Sequence, residues 1–130
     1  MGEHDTQIVS IVDDDESLRR SLRNLLGSVG FRVETFASAE AFLRSIHQEQ
    51  TGCLVLDLRM PGMSGFDLLR HLSSTGPRIP VVVLTAHGDD EARHRSLQAG
   101  AVAFLSKPFN GNALLDAVRA ALDQGGRPAG

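Results

Sequence analysis

The chain predicts a doubly wound α/β domain, a five-stranded parallel sheet with helices on both faces, on three observations. Short runs rich in Val, Ile and Leu alternate five times with stretches whose apolar residues recur at helical spacing, the rhythm of successive βαβ units. Two of the runs, Cys53 to Leu56 and Val81 to Leu84, are apolar throughout, as strands covered on both faces must be. Acids, small residues or Gly/Pro clusters follow the strands, at the edge where open α/β sheets bind ligands. At 130 residues, with 42% hydrophobic and 22% charged residues, the chain has the size and composition of one globular domain.

Strand 1 is Gln7 to Val12, where Ile8, Val9, Ile11 and Val12 form a β-branched run that breaks off into Asp13, Asp14, Asp15 and Glu16. Asp15 is placed to cap helix 1, whose Leu18, Leu22, Leu25, Leu26 and Val29 keep to one face and which Gly30 stops. A cap needs one acid, not four; the surplus either answers the helix dipole or serves a site. Phe31 to Phe36 alternates Phe31, Val33 and Thr35 with Arg32 and Glu34, marking an edge strand with one open side. Ser38 caps helix 2, with Ala39, Phe42, Leu43 and Ile46 inward, and a polar loop runs from His47 to Gly52. Strand 3 then delivers Asp57 to its tip, just before the turn residues Pro61, Gly62 and Gly65. There Asp57 is either a turn cap or a group on display for chemistry.

Ser64 and Asp67 have capping-box spacing and open helix 3, with Phe66, Leu69 and Leu72 inward and an end near Gly76 and Pro77. Val81 to Leu84 is interior and runs into Thr85-Ala86-His87-Gly88, after which Asp89, Asp90 and Glu91 start helix 4, which extends to about Gly100. Ala101 to Leu105 is the last strand. Ser106-Lys107-Pro108-Phe109 follows, and Asn110 caps helix 5, with Leu114, Ala117, Val118, Ala121 and Leu122 inward. The domain is expected over residues 1–123, with 124–130 a flexible tail or the start of a linker to a possible effector domain.

Right-handed crossovers between consecutive strands allow the flavodoxin-like order 2-1-3-4-5, which sets the exposed strand 2 at an edge and the apolar strands 3 and 4 inside. In that order Asp13 and Asp14 come to lie beside Asp57, with Thr85 and Lys107 on the other flank. Three converging carboxylates repel one another unless a cation joins them, and an oxygen-only donor set suits magnesium (Mg2+). Thr85 offers a hydroxyl and Lys107 a compact positive charge, which the oxygens of a phosphoryl group require if Asp57 attacks phosphorus. Such an attack needs no general base, because positioning dominates phosphoryl transfer.

Composition excludes other classes. A net charge of −3 gives no basic footprint, so this segment by itself is not expected to bind nucleic acid. No apolar run approaches the ~18 residues of a membrane span, and the polar, acidic start is unlike a secretory signal, so the cytoplasm is the expected compartment and no membrane partner is expected. The single cysteine, Cys53, opens an apolar strand and reads as a buried, inert thiol.

Val12-Asp13-Asp14-Asp15, Leu56-Asp57-Leu58-Arg59-Met60-Pro61-Gly62-Met63-Ser64-Gly65, Leu84-Thr85-Ala86 and Ser106-Lys107-Pro108-Phe109, in this order, resemble the receiver domain of bacterial two-component response regulators, and the wording is closest to the FixJ-like branch. The resemblance covers Gln7 to Leu122. It implies that Asp57 accepts phosphoryl from a cognate histidine kinase, that Asp13 and Asp14 organise magnesium with the backbone carbonyl of Arg59, and that Thr85 and Lys107 bind the phosphoryl oxygens. It also implies a cis Lys107-Pro108 bond and a switch through Thr85 and residue 104, which is Phe104 here where many members have tyrosine. Haloacid-dehalogenase-like phosphatases share an aspartate nucleophile, magnesium and lysine, but carry an acid two residues after the nucleophile, where this chain has Arg59. The reading is therefore a phosphoryl-controlled switch with at most slow self-dephosphorylation, not a turnover enzyme. Arg59 and His87, two residues after Asp57 and Thr85, are expected to set the lifetime of the phosphoryl group. The output face is expected to be helix 4, strand 5 and helix 5, controlling a phosphorylation-dependent homodimer and a transcriptional output.

Overall fold

The computed structural model describes residues 7–45, 50–75, 79–85 and 90–126. Five strands, β1 (Ile8–Val12), β2 (Arg32–Phe36), β3 (Thr51–Asp57), β4 (Val81–Thr85) and β5 (Ala103–Ser106), alternate with α1 (Glu16–Ser28), α2 (Ala39–Leu43), α3 (Gly65–Thr75), α4 (Asp90–Gln98) and α5 (Gly111–Gly126). The strands form one parallel sheet in the order β2-β1-β3-β4-β5, as the sequence predicts.

The alternation of the strands sorts the core into two layers. Val9, Ile11, Cys53, Val55, Val82 and Leu84 meet Leu22 and Leu26 of α1 and Leu114, Val118 and Leu122 of α5. Val12, Leu54, Leu56, Val81 and Val83 meet Phe42 of α2 and Leu68, Leu69 and Leu72 of α3 on the opposite face. Ser10 and Thr51 are buried inside the sheet, and their hydroxyls satisfy one another at 2.7 Å, so β3 starts two residues before the apolar run. β2 keeps one open side, with Arg32 exposed, as an edge strand should.

The caps follow the sequence. Asp15 accepts from the N–H groups of Ser17 and Leu18, Ser38 from Ala41, and Asn110 from Ala113 and Asn112. Ser64 and Asp67 close a reciprocal capping box at α3. Gly30 leaves α1 at a φ of 99°, a left-handed stop that suits glycine.

Several expectations need correction. Val29 does not join the buried stripe: it occupies the cap position after α1 and is exposed. Leu68 is buried beside Leu69, so the inward face of α3 is wider than the predicted stripe. α5 continues through Gly126, so residues 124–126 belong to the helix and not to a tail, its last turn propagating past the final apolar residue. Ile46, His47, Gly76, Pro77, Ala86, His87, Gly88 and Asp89 lie outside the described residues. No described helix is long and apolar enough to cross a membrane.

Candidate functional site

The site grows from the C-terminal tips of β1, β3 and β4 and the segment after β5. All seven residues of β3 are buried, and the strand ends on Asp57, whose residue surface is only 6% exposed. The Arg59 N–H turns back onto Asp57 Oδ1 at 3.3 Å. Asp13 is buried at the end of β1; its Oδ1 accepts the Asp15 N–H at 2.9 Å and its carbonyl accepts Arg19 Nη1 at 2.8 Å. The four-acid run thus divides its labour. Asp15 caps α1, Glu16 sits in exposed solvent near Arg20, and Asp13 and Asp14 turn to the crevice.

Asp13, Asp14 and Asp57 each offer an oxygen within 4.8 Å of the others. Thr85, 1% exposed, ends the neighbouring strand; the register pairs Asp57 with Leu84, which sets Thr85 one residue further toward the crevice. The Lys107 N–H donates to the Thr85 carbonyl at 2.7 Å, and the Lys107-Pro108 bond is cis. Lys107 Nζ lies 3.0 Å from Asp13 Oδ2 and 3.9 Å from Asp57 Oδ2. It therefore bridges two acids of the crevice, where negative charge is densest.

Burial and the neighbouring Asp13 carboxylate push the Asp57 carboxyl up to about 6, against the opposing pull of Lys107 and the Arg59 N–H. At neutral pH Asp57 is therefore mostly ionised. Burial alone pushes the Cys53 thiol up to about 12, so that cysteine is inert at neutral pH.

The remaining predicted residues sit as follows. The Arg59 side chain is exposed, at the rim of a cavity of about 260 Å³ that Thr85, Phe66, Glu91 and Arg95 also line. Phe104 is half-buried against the core layer under α2 and α3. His87 falls outside the described residues. Sequence reasoning missed two contacts. Arg95 lies over the Phe66 ring at 4.4 Å, joining α4 to α3, and Glu40 of α2 accepts the Met63 N–H at 3.1 Å. Neither has a local signature, because each joins residues more than twenty positions apart.

Three clustered carboxylates with no His or Cys among them suit a hard divalent cation such as magnesium. A model of the response regulator receiver domain matches residues 9–119. The chain belongs to that family. Receiver domains are signalling modules of two-component systems that work with histidine kinases, and they typically bind magnesium at an acidic pocket. Nodulation protein W of Bradyrhizobium diazoefficiens is 49% identical over 117 residues, 90% of this chain and 52% of that protein. Among solved structures, response regulator StyR is 52% identical with a TM-score of 0.85, over 92% of this receiver and 61% of that chain. The crystal structure of FixJ-N is 41% identical with a TM-score of 0.85, over 99% of both chains. This receiver spans about half the length of the curated relatives it matches.

Proposed function

We propose that this receiver is a phosphoryl-controlled switch in which Asp57 takes a phosphoryl group from a histidine kinase. The observation that carries the proposal is the three-carboxylate cluster, with the Lys107 ammonium between Asp13 and Asp57, in a chain of this family. An Asp57 carboxylate oxygen attacks phosphorus, the new O–P bond forms, and the P–N bond of the phosphohistidine breaks. The imidazole leaves with the P–N electron pair and is protonated from solvent. Asp13, Asp14, Asp57 and the backbone carbonyl of Arg59 would hold magnesium, which when bound offsets the charge gathering on the phosphoryl oxygens. Lys107 is free to pivot from the acids to a phosphoryl oxygen, and the Thr85 hydroxyl supplies a donor from the adjacent strand.

The added charge draws Thr85 toward it, Phe104 moves inward, and the face built from α4, β5 and α5 becomes competent to dimerise. Arg59 and His87 set how long the phosphoryl group lasts. Residues 1–123 act as the receiver, and its switching face serves a cytoplasmic transcriptional output, in keeping with the name of the relative "Transcriptional regulatory protein FixJ" from Rhizobium meliloti, 45% identical over 113 residues.

Intact mass after treatment with a small phosphoryl donor tests this. One added phosphoryl group is expected, absent in Asp57→Asn and absent when magnesium is chelated; full labelling of Asp57→Asn would overturn the assignment.

A further inference from the structure

The loop between β3 and α3 carries the Arg59 carbonyl, and its hold on the rest of the molecule is unusual. At its base the Gly65 N–H donates to the Leu58 carbonyl at 3.1 Å. At its crown the Met63 N–H donates to Oε2 of Glu40, a side chain 23 positions earlier on α2, at 3.1 Å. Gly62 makes that reach possible in two ways. Its φ is 77°, which turns the chain so that the next N–H faces α2, and it has no Cβ, which would stand 2.8 Å from Glu40 Oε2. The carboxylate answers the contact: the Met63 N–H and its own backbone N–H hold Glu40 below the usual carboxylate range.

From this we infer that Glu40 is a positioning residue for the metal site, fixing the β3–α3 loop so that the Arg59 carbonyl is presented to magnesium beside Asp13, Asp14 and Asp57. The inference rests on the metal reading above. A carbonyl ligand on a short loop binds well only if the loop is already in place, since ordering it on binding costs affinity. Glu40 supplies part of that order from outside the loop. Met60 and Met63, packed against the core layer under α2 and α3, supply another part, so losing Glu40 weakens the site without abolishing it. Coupling is reciprocal: magnesium should in turn strengthen the Glu40–Met63 bond.

Calorimetric titration of the chain with magnesium alone, with no phosphoryl donor, tests the inference on wild type, Glu40→Ala and Glu40→Gln. Glu40→Ala should bind about fivefold more weakly, below the ~10–100-fold typical of groups that touch a ligand directly, whereas Glu40→Gln, which keeps an acceptor oxygen, should stay within about twofold of wild type. A merely structural role would lower the thermal stability of Glu40→Ala and leave the affinity of both variants alone. As a second measurement, magnesium should slow hydrogen exchange at the Met63 amide of the wild type. Unchanged affinity in Glu40→Ala, or a Met63 amide indifferent to magnesium, overturns the role of Glu40 and leaves the metal site standing. A wild-type chain that takes up no magnesium overturns both.

Discussion

Asp57 is held at a cost, and the cost has a measurable pH dependence. Its carboxyl titrates near 6 in the folded chain against an ordinary 3.8, so between those values the native state holds a proton that the unfolded chain has lost. The stability this group contributes is complete below about pH 4 and is lost as pH rises through 6. Asp57→Asn removes the cost of burying a charge at that position and the repulsion from Asp13 and Asp14, so with a chelator present it should be more stable than wild type by about 2 kcal/mol at pH 7, with the gain shrinking toward pH 5. Denaturant titrations at the two pH values check this; a gain that does not change with pH would mean the strain is not electrostatic. Asp13, Asp14, Asp57, Thr85 and Lys107 were all legible as residues, because strand ends and turn clusters mark them in the sequence. The direct ion pair of Lys107 with Asp13 was not, since it depends on a 94-residue separation closed only by the sheet.

Elements were legible wherever a periodic stripe and a cap coincided. Asp15, Ser38, Ser64 and Asn110 all cap the helices the sequence assigns to them. What stayed hidden is how tightly some elements approach one another. α3 begins at Gly65 directly against the end of β3: a Cβ there would collide with the Asp57 carbonyl oxygen and lie 2.6 Å from Leu58 Cα. These are backbone atoms at and just past the end of the strand that carries Asp57, so they cannot yield as a flexible side chain would. Gly65→Ala should therefore cost about 1–3 kcal/mol, in the range of overpacked cores, and should slow labelling of Asp57 by displacing its strand tip. Thermal melts and labelling kinetics report the two effects separately. Gly27, whose added Cβ would meet nothing within 4 Å, is the matched control: Gly27→Ala should stabilise α1 slightly and leave labelling unchanged. The sequence marks Gly65 as a turn glycine but gives no sign that the helix, not the turn, requires it. α4 was legible as a helix, yet its packing was not: Ser96 is its one buried residue, its hydroxyl returned to the Ala92 carbonyl at 2.8 Å, and Arg95 rests on Phe66.

At the scale of the whole molecule, the apolar strands 3 and 4 and the alternating strand 2 were legible as interior and edge, which agrees with the order 2-1-3-4-5 of flavodoxin-like folds without fixing it; the surfaces of the assembled domain were not legible, because exposure depends on packing. Leu97 of α4 and Val102, the residue just before β5, are 41% and 37% exposed, and Asp90, Glu91 and Arg93 of α4 and Arg119 of α5 are exposed charges. Arg95 is withdrawn from that face toward Phe66 on the α3 side. Two exposed aliphatic side chains within a mixed-charge surface suit a symmetric interface, in which each acid of one copy can meet a base of the other. A switch from mostly monomer to mostly dimer requires the phosphorylated state to favour association strongly; moving a two-state balance from 1:99 to 99:1 takes about 5.5 kcal/mol of bias. In the proposed switch the new charge is felt through Thr85, which is buried at the end of the strand next to that of Asp57 and bonded through its carbonyl to the Lys107 N–H. Sedimentation of wild type, Thr85→Ala and Leu97→Glu, each with and without a phosphoryl donor, separates sensing from contact. Wild type should dimerise on labelling. Thr85→Ala should label at Asp57 and remain monomeric because the signal stops at the strand end, and Leu97→Glu should label and remain monomeric because the face itself is spoiled. Dimerisation of Thr85→Ala equal to wild type would remove Thr85 from the switch, and dimerisation of Leu97→Glu would move the interface away from α4.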